Sequence, residues 1–162
     1  MEMRIGQGID RHRMAMGRKL VLGGVEIKHS HGLAGHSDAD ALLHAICDAM
    51  LGAASMGDIG QMFSDTDEAN AGRDSLEFLA LVCERIANRG FTVVNVDSTI
   101  MAEAPRLAAH VPRMRDNIAT VLDIDLDRVS VKATRGERVG PEGRAEAITA
   151  WAVVLLIQAG LP

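Results

Sequence analysis

The sequence predicts one globular domain of mixed α and β structure. Three observations carry this: β-branched runs bounded by glycine, apolar residues recurring at helical spacing in three separate stretches, and enough apolar mass for one core. With 162 residues and 48% hydrophobic content, the chain has the size of a single domain and needs no disulfide staples. No internal repeat, low-complexity tract or linker divides residues 1–162.

The chain opens with β structure. Residues 3–9 alternate as a strand, and 19–27 read as two strand arms around Gly23-Gly24, a dipeptide that accepts the positive φ of a tight hairpin. Ser37 with Asp40 three residues on resembles a capping box. Ala41, Leu42, Ala45, Ile46, Ala49 and Ala53 then recur at helical spacing, which predicts a helix over 38–54. Gly, Asp, Ser and Asn dominate 57–72, a surface loop of the kind that carries function. Asp74 caps a second helix with Leu76, Leu79, Val82, Cys83 and Ile86 on one face, ending at Gly90. Residues 91–101 form a strand, 112–122 a helix that Pro112 can start, 129–134 a strand and 135–143 a glycine-containing loop. Residues 147–157 stay open between helix and buried strand, because their alanines favour one and Val153, Val154 and Ile157 the other.

Composition narrows the partners. A net charge of -5 leaves no basic surplus for phosphate backbones or anionic lipid, and 2% aromatic content removes the stacking platforms of single-strand binders. Neither nucleic acid nor membrane is expected, and small ligands are. The apolar run over 150–159 is too short to span a bilayer, which takes about 20 residues. Cys47 and Cys83 show no disulfide or zinc-knuckle spacing, and the N-terminal residues carry no signal or transit pattern, so a reducing, cytoplasmic location is expected.

Chemistry concentrates in few places. Strand alternation puts Asp10 and His12 on one side with Arg11 opposite, and His44 lies in the first helix between Asp40 and Asp48, each one turn away. One oxygen and two nitrogen ligands with a fourth position open make the donor set of a catalytic zinc site, with Asp40 or Asp48 available to orient the His44 ring. The same residues also fit a solvated surface cluster. His29-Ser30-His31 is a rival pair in a polar turn without a third partner. His36-Ser37 precedes a helix, where backbone N–H groups and the dipole favour a phosphate oxygen; taken alone, these residues read first as an ordinary N-cap.

Six segments taken together resemble a known family. Gly6-Gln7-Gly8-Ile9-Asp10-Arg11-His12, Gly35-His36-Ser37-Asp38-Ala39-Asp40 with His44, Gly57-Asp58-Ile59-Gly60, Phe63-Ser64-Asp65-Thr66-Asp67, Ala104-Pro105-Arg106 and Lys132-Ala133-Thr134 match, in order, the motifs of the 2-C-methyl-D-erythritol 2,4-cyclodiphosphate synthase family. The resemblance covers essentially the whole chain.

It implies an α+β fold: a single domain with a mixed β-sheet and helices on one face, the sheets packed around the axis of a homotrimer with active sites between subunits. In that fold 147–157 is a strand. It implies conversion of 4-diphosphocytidyl-2-C-methyl-D-erythritol 2-phosphate into the 2,4-cyclodiphosphate and cytidine monophosphate. Asp10, His12 and His44 are expected to hold Zn2+, with Asp10 and His12 also beside the substrate. Glu137 is expected to help hold a second divalent cation, Mg2+ or Mn2+. His36 and Ser37 match phosphate contacts, His36 as transition-state stabiliser. Asp58 and Gly60, with Ile59 between them, match ribose contacts, and Phe63, Asp65 and Asp67 the loop over the methylerythritol portion. Ala102, Ala104, Pro105, Arg106, Leu107 and Ala108, with Ala133 and Thr134, match a cytosine pocket built largely from main chain.

The departures cluster. Where the family commonly has Thr-Thr-Thr-Glu-Lys-Leu-Gly, this chain has Thr134-Arg135-Gly136-Glu137-Arg138-Val139-Gly140, so Arg135 stands in place of a hydroxyl near the transferring phosphate. Arginine can serve there as a charged fork, which makes Arg135 a catalytic candidate beside His36 and Glu137. Pro141 replaces an aromatic, and Gly143-Arg144-Ala145-Glu146-Ala147 replaces Gly-Arg-Gly-Glu-Gly. Arg144 and Glu146 match one end of an axial cavity where isoprenoid diphosphates are the implied occupants. Two other readings accompany this one: a trimer that keeps metal and nucleotide binding but serves as a sensor or scaffold, distinguished by lack of turnover, and a zinc phosphoesterase, distinguished by release of inorganic phosphate.

Overall fold

Two glycines in the first strand determine how the first helix sits. The computed structural model describes residues 2–63 and 72–158. Strand β1 runs Glu2–Met16, and helix α1, Ala41–Ala53, lies across it. A Cβ built on Gly8 would stand 2.0 Å from the Ala45 carbonyl oxygen, and one on Gly6 1.9 Å from that of Ala49. Only glycine permits that approach, and Ala45, Ala49 and Ala53 keep the helix side equally slim.

Strands β2 (Leu20–Leu22) and β3 (Val25–Ile27) form a separate hairpin whose turn residues, Gly23 and Gly24, have φ of 58° and 69°. Both central residues at positive φ are what a twisted two-residue turn demands. The remaining elements are β4 (His31–Leu33), α2 (Ile59–Met62), α3 (Ser75–Ala87), β5 (Phe91–Met101), α4 (Val111–Leu122), β6 (Val129–Thr134), α5 (Gly140–Gly143) and β7 (Ala147–Gln158). The main sheet is ordered β4-β1-β7-β5-β6, antiparallel except for β5 and β6. That parallel pair is joined through α4, as a crossover requires. The fold is thus the expected α+β arrangement with a mixed sheet. Helix α1 covers β1 and β7, α4 packs on β6, and α3 lies against both helices.

Alternation gives the sheet two different faces. Gly6, Gly8, Ala152, Val154 and Leu156 point into the core beneath α1. On the other face Met3, Ile5, Ile9 and Val153 are exposed, Ile5 by 74%.

Several expectations change in detail. The first strand does not end before Asp10: β7 pairs with it as far as Arg13, so Asp10, Arg11 and His12 lie inside the ladder. The residues 147–157 are a strand, sandwiched between β1 and β5 along almost their whole length; β-branching and two paired edges outweigh the helical preference of alanine. The first helix begins later than expected, because Asp40 rather than Ser37 is its N-cap, accepting the Leu43 N–H at 3.1 Å. Ser37 Oγ instead accepts from Ala39 N–H, and Ala39 sits at φ 59°, outside the helix. The loops 57–72 and 135–143 contain the one-turn helices α2 and α5.

Asp40 is fully buried, and its other oxygen accepts the Gly24 N–H at 2.7 Å, tying the hairpin to α1. Burial pushes its carboxyl up to about 6; the Gly24 N–H opposes this and the charge of Asp38 adds to it. A carboxyl whose pKa is raised by folding stabilises the fold while protonated and loses that contribution as pH climbs through the folded value. Asp40→Asn, which cannot ionise, turns an NH2 toward one of the two N–H groups and is expected to cost about 1–3 kcal/mol near pH 4. That deficit should shrink as pH rises from 4 to 7, read from urea midpoints of both proteins across the range. A pH-independent deficit contradicts the assignment.

Candidate functional site

Strand alternation and the glycine contact together make the cluster. Residues 6, 8, 10 and 12 of β1 share the face that α1 crosses, so beyond Gly8 the side chains of Asp10 and His12 meet His44 in the first turn of the helix. Asp10 Oδ2 lies 2.8 Å from His12 Nε2 and 3.1 Å from His44 Nδ1, and the two ring nitrogens are 3.3 Å apart. Among the described residues these three are the one group of His, Cys, Asp and Glu side chains whose donor atoms could hold a metal ion.

Burial by itself would raise the Asp10 carboxyl, but hydrogen bonds with His12 and His44 outweigh it and hold it well below the usual carboxylate range. Burial likewise opposes the His12 imidazolium, and the hydrogen bond and charge of Asp10 overcome it and raise His12. His12 Nδ1 donates to the Ala34 carbonyl at 2.8 Å, which directs the Nε2 lone pair inward. A carboxylate oxygen facing ring lone pairs at these distances is repulsive unless a cation or proton lies between them. The donor set therefore fits a divalent metal.

The loop 34–40 forms one wall beside the cluster. A Cβ on Gly35 would stand 3.2 Å from His12 Cε1 and 2.8 Å from the Ala39 methyl, so the backbone passes directly against the ligand ring. Next to it a cavity of about 510 Å³ is lined by Arg18, Lys19, His36, Ser37, Asp38 and neighbours. The Arg18 guanidinium donates to the carbonyls of Leu33, Gly35 and Ser37 at 2.9–3.2 Å, holding the loop from behind.

The expected roles of Asp40 and Asp48 do not hold. Asp40 serves the backbone as described, and Asp48 accepts the Ile59 N–H at 2.7 Å, with burial raising its carboxyl. Neither makes a hydrogen bond to the His44 ring. His44 Nε2 instead meets Ser75 Oγ at 3.0 Å and Ser37 Oγ at 3.4 Å. The Asp48 contact suspends α2, where Asp58 caps the turn through Gln61 N–H and Ile59 and Gly60 follow. Phe63 stacks on Phe78 at 4.5 Å between centroids, and Phe78 lies 6.3 Å from the His44 ring. Asp65 and Asp67 lie outside the described residues.

The second set of expected residues assembles elsewhere. Ala102, Pro105, Arg106, Leu107, Ala108, Ala133, Thr134 and Arg135 line a separate cavity of about 210 Å³, together with Glu103; Ala104 lies within the same turn. Arg135 Nη2 reaches Glu103 Oε1 at 2.5 Å, and the pair raises the guanidinium and lowers the carboxyl. Glu137 and Arg138 both sit at positive φ, 50° and 63°. Two successive left-handed residues other than glycine mark a backbone held against its preference, a feature that collects at functional sites. Ile100 on β5 and Asp10 on β1 flank Ala150, and Ala133 pairs with Ile100. The two regions are thus three strand spacings apart, roughly 14 Å, on one sheet. Glu137 is not part of the Asp10, His12 and His44 group, and Arg144, paired with Glu146 at 2.8 Å, lines neither cavity.

The His29 ring Nδ1 lies against the His31 main chain and the His31 ring Nδ1 meets Ser30 Oγ, as in a polar turn. Asp38, Ser75, Arg18 and Glu103 went unread as site residues. Asp38 lies within a matched motif and Glu103 directly before one, whereas Ser75 and Arg18 lie outside the matched segments, and no periodicity or spacing distinguishes any of them from a solvated polar side chain.

A family model described as the YgbB family matches residues 3–157. A relative named 2-C-methyl-D-erythritol 2,4-cyclodiphosphate synthase, from Syntrophomonas wolfei, is 57% identical over 157 residues, covering 97% of this chain and all of the relative. Among solved structures, the bifunctional IspDF from Campylobacter jejuni aligns with a TM-score of 0.94 and 39% identity over 98% of this chain, which spans 43% of that longer protein. A CDP-bound form of 2C-methyl-D-erythritol-2,4-cyclodiphosphate synthase aligns with a TM-score of 0.88 and 34% identity, covering 95% of this chain and all of that one.

Proposed function

This chain belongs to the YgbB family, and from that premise we propose that it is a 2-C-methyl-D-erythritol 2,4-cyclodiphosphate synthase. It converts 4-diphosphocytidyl-2-C-methyl-D-erythritol 2-phosphate into the cyclic diphosphate and cytidine monophosphate, a step of non-mevalonate isoprenoid precursor synthesis and a phosphorus–oxygen lyase reaction. The sensor or scaffold reading does not fit relatives of 52–57% identity that carry the synthase name over nearly their full length.

The observation that carries the proposal is the convergence of Asp10, His12 and His44 beside the His36–Ser37 wall. In the reaction the 2-phosphate oxygen attacks the β-phosphorus and the bond to the α-phosphate oxygen breaks, leaving with cytidine monophosphate. Such a transfer needs positioning and charge neutralisation more than covalent help. Asp10, His12 and His44 hold Zn2+, which when bound supplies a Lewis acid for a phosphate oxygen. His36 and Ser37 receive phosphate oxygens, with His36 stabilising the charge of the transition state. Asp58, Ile59 and Gly60 meet the ribose, and Phe63, Asp65 and Asp67 the methylerythritol portion. The turn from Ala102 to Ala108 with Ala133 and Thr134 receives the cytosine. Glu137 contributes an oxygen to a second cation, Mg2+ or Mn2+, which hard oxygen donors suit.

A trimer is part of the proposal. Met3, Ile5, Ile9 and Val153 leave an apolar stripe in water that a second sheet face would cover. Two half-sites set roughly 14 Å apart on one chain are joined if a neighbouring subunit supplies the other half. Arg144 and Glu146 then face the axial cavity, with an isoprenoid diphosphate as its occupant. We place the enzyme in the cytoplasm; no helix among the described residues is long and apolar enough to cross a membrane.

Arg135→Ala is expected to lower kcat/KM about 10- to 100-fold, the worth of one charge-assisted hydrogen bond to phosphate. Steady-state kinetics at saturating zinc and magnesium check this; an unchanged kcat/KM removes Arg135 from the site. The function itself is tested by 31P NMR of products: the cyclic diphosphate with cytidine monophosphate supports it, and inorganic phosphate points to a phosphoesterase.

A further inference from the structure

We propose that Ser75 and Asp38 form a hydrogen-bond relay that fixes the His44 tautomer and makes Nδ1, rather than Nε2, the nitrogen offered to the metal. This rests on the metal reading above and extends it to two residues outside the ligand set.

The direction of each bond follows from the donors available. Ser75, the first residue of α3, is fully buried, and its hydroxyl donates to Asp38 Oδ1 in a short contact. With its one hydrogen committed, Ser75 Oγ can only accept toward His44 Nε2, 3.0 Å away. Nε2 must then carry the ring proton, and the Nδ1 lone pair faces Asp10 and His12. Ser37 Oγ, at 3.4 Å, is a more distant neighbour of the same nitrogen and already accepts the Ala39 N–H.

The carboxylate end of the relay is itself held. Asp38 Oδ2 accepts the Ser75 backbone N–H at 3.0 Å, Oδ1 accepts the Asp40 N–H at 3.2 Å, and the Asp38 N–H donates to the Arg73 carbonyl at 3.1 Å. Asp38 therefore joins the start of α3 to the loop that precedes α1, and Ser75 transmits its negative charge to the ring. A carboxylate acting through a hydroxyl fixes the ring's tautomer and restrains its rotation, both of which favour metal binding. The Ala34 carbonyl likewise fixes the His12 ring, so the two histidines are oriented from different segments, one from the loop before α1 and the other from the start of α3.

The test is zinc affinity, measured by competition with a chromophoric chelator, for wild type, Ser75→Ala, Asp38→Asn and the double variant, with melting of each zinc-free protein recorded alongside. Ser75→Ala is expected to weaken zinc binding about 10- to 100-fold, the usual worth of a ligand's outer hydrogen bond. Asp38→Asn is expected to weaken it less, and the double variant no further than Ser75→Ala alone, because a relay in series is broken once. Ser75→Cys, which keeps a weak donor and acceptor, should recover part of the affinity. Zinc affinity unchanged in Ser75→Ala, or losses that multiply in the double variant, overturns the relay. Absence of zinc binding in wild type overturns the metal reading itself, which distinguishes the two failures.

Discussion

His44→Ala is expected to abolish zinc binding at the cluster and lower kcat/KM at least about 10³-fold, since Lewis-acid stabilisation of a phosphoryl transition state is worth several kcal/mol and each 1.36 kcal/mol is tenfold. His44 supplies one of the three converging atoms, and its removal leaves Asp10 and His12, which alone make an ordinary aspartate–histidine ion pair at 2.8 Å. The fold should survive. The ring is mostly shielded but not part of the core, and α1 keeps its ten buried residues and its Asp40 cap. Metal analysis of dialysed protein, steady-state kinetics and a melting curve check the three parts together. Retained zinc with full activity would remove His44 from the ligand set.

Gly8→Ala is expected to destabilise the fold by about 3 kcal/mol or more, at the upper end for overpacking, because the atoms met are backbone and cannot rotate away. A methyl there would stand 2.0 Å from the Ala45 carbonyl oxygen and 2.8 Å from the Ala49 N–H nitrogen. Relief requires α1 to lift off β1, and α1 carries His44 while β1 carries Asp10 and His12. Stability and zinc affinity should therefore fall together in this variant, measured by urea unfolding and chelator competition. The contrast is Gly17→Ala: Gly17 has nothing within 4 Å of its Cβ position, but its φ of 76° makes the substitution cost backbone strain without affecting zinc. Equal stability of Gly8→Ala and wild type would contradict the close approach.

Much of the fold was legible because local signals and tertiary demands agree. The strands β5 and β6 appear with their expected bounds, and the Gly23-Gly24 hairpin and the Asp74 cap on Leu76 N–H form as read. The strand β7 was not resolvable from its residues, since Ala147, Ala150 and Ala152 say helix and only pairing on both edges says strand. The start of α1 was misread for a similar reason. Ser37 and Asp40 are both good caps, and the choice depends on Asp40 reaching the Gly24 N–H, a contact between distant residues.

The site divides along the same line. Alternation in β1 puts Asp10 and His12 together, but the third ligand comes from the helix that Gly6 and Gly8 admit, so spacing alone left the cluster ambiguous. The motifs resolved it by family resemblance. The orientation of His44 was beyond either route: Asp40 and Asp48 are its helical neighbours, whereas the hydroxyl that meets Nε2 arrives from α3, 31 residues later in the chain.

The most direct test of the account is cytidine monophosphate release from 4-diphosphocytidyl-2-C-methyl-D-erythritol 2-phosphate by metal-stripped protein, before and after zinc and magnesium are restored, with His44→Ala in parallel. The account predicts release only in the metal-restored wild type, with the cyclic diphosphate formed in equal amount. No release from folded, zinc-loaded wild type, or equal release by His44→Ala, would contradict it.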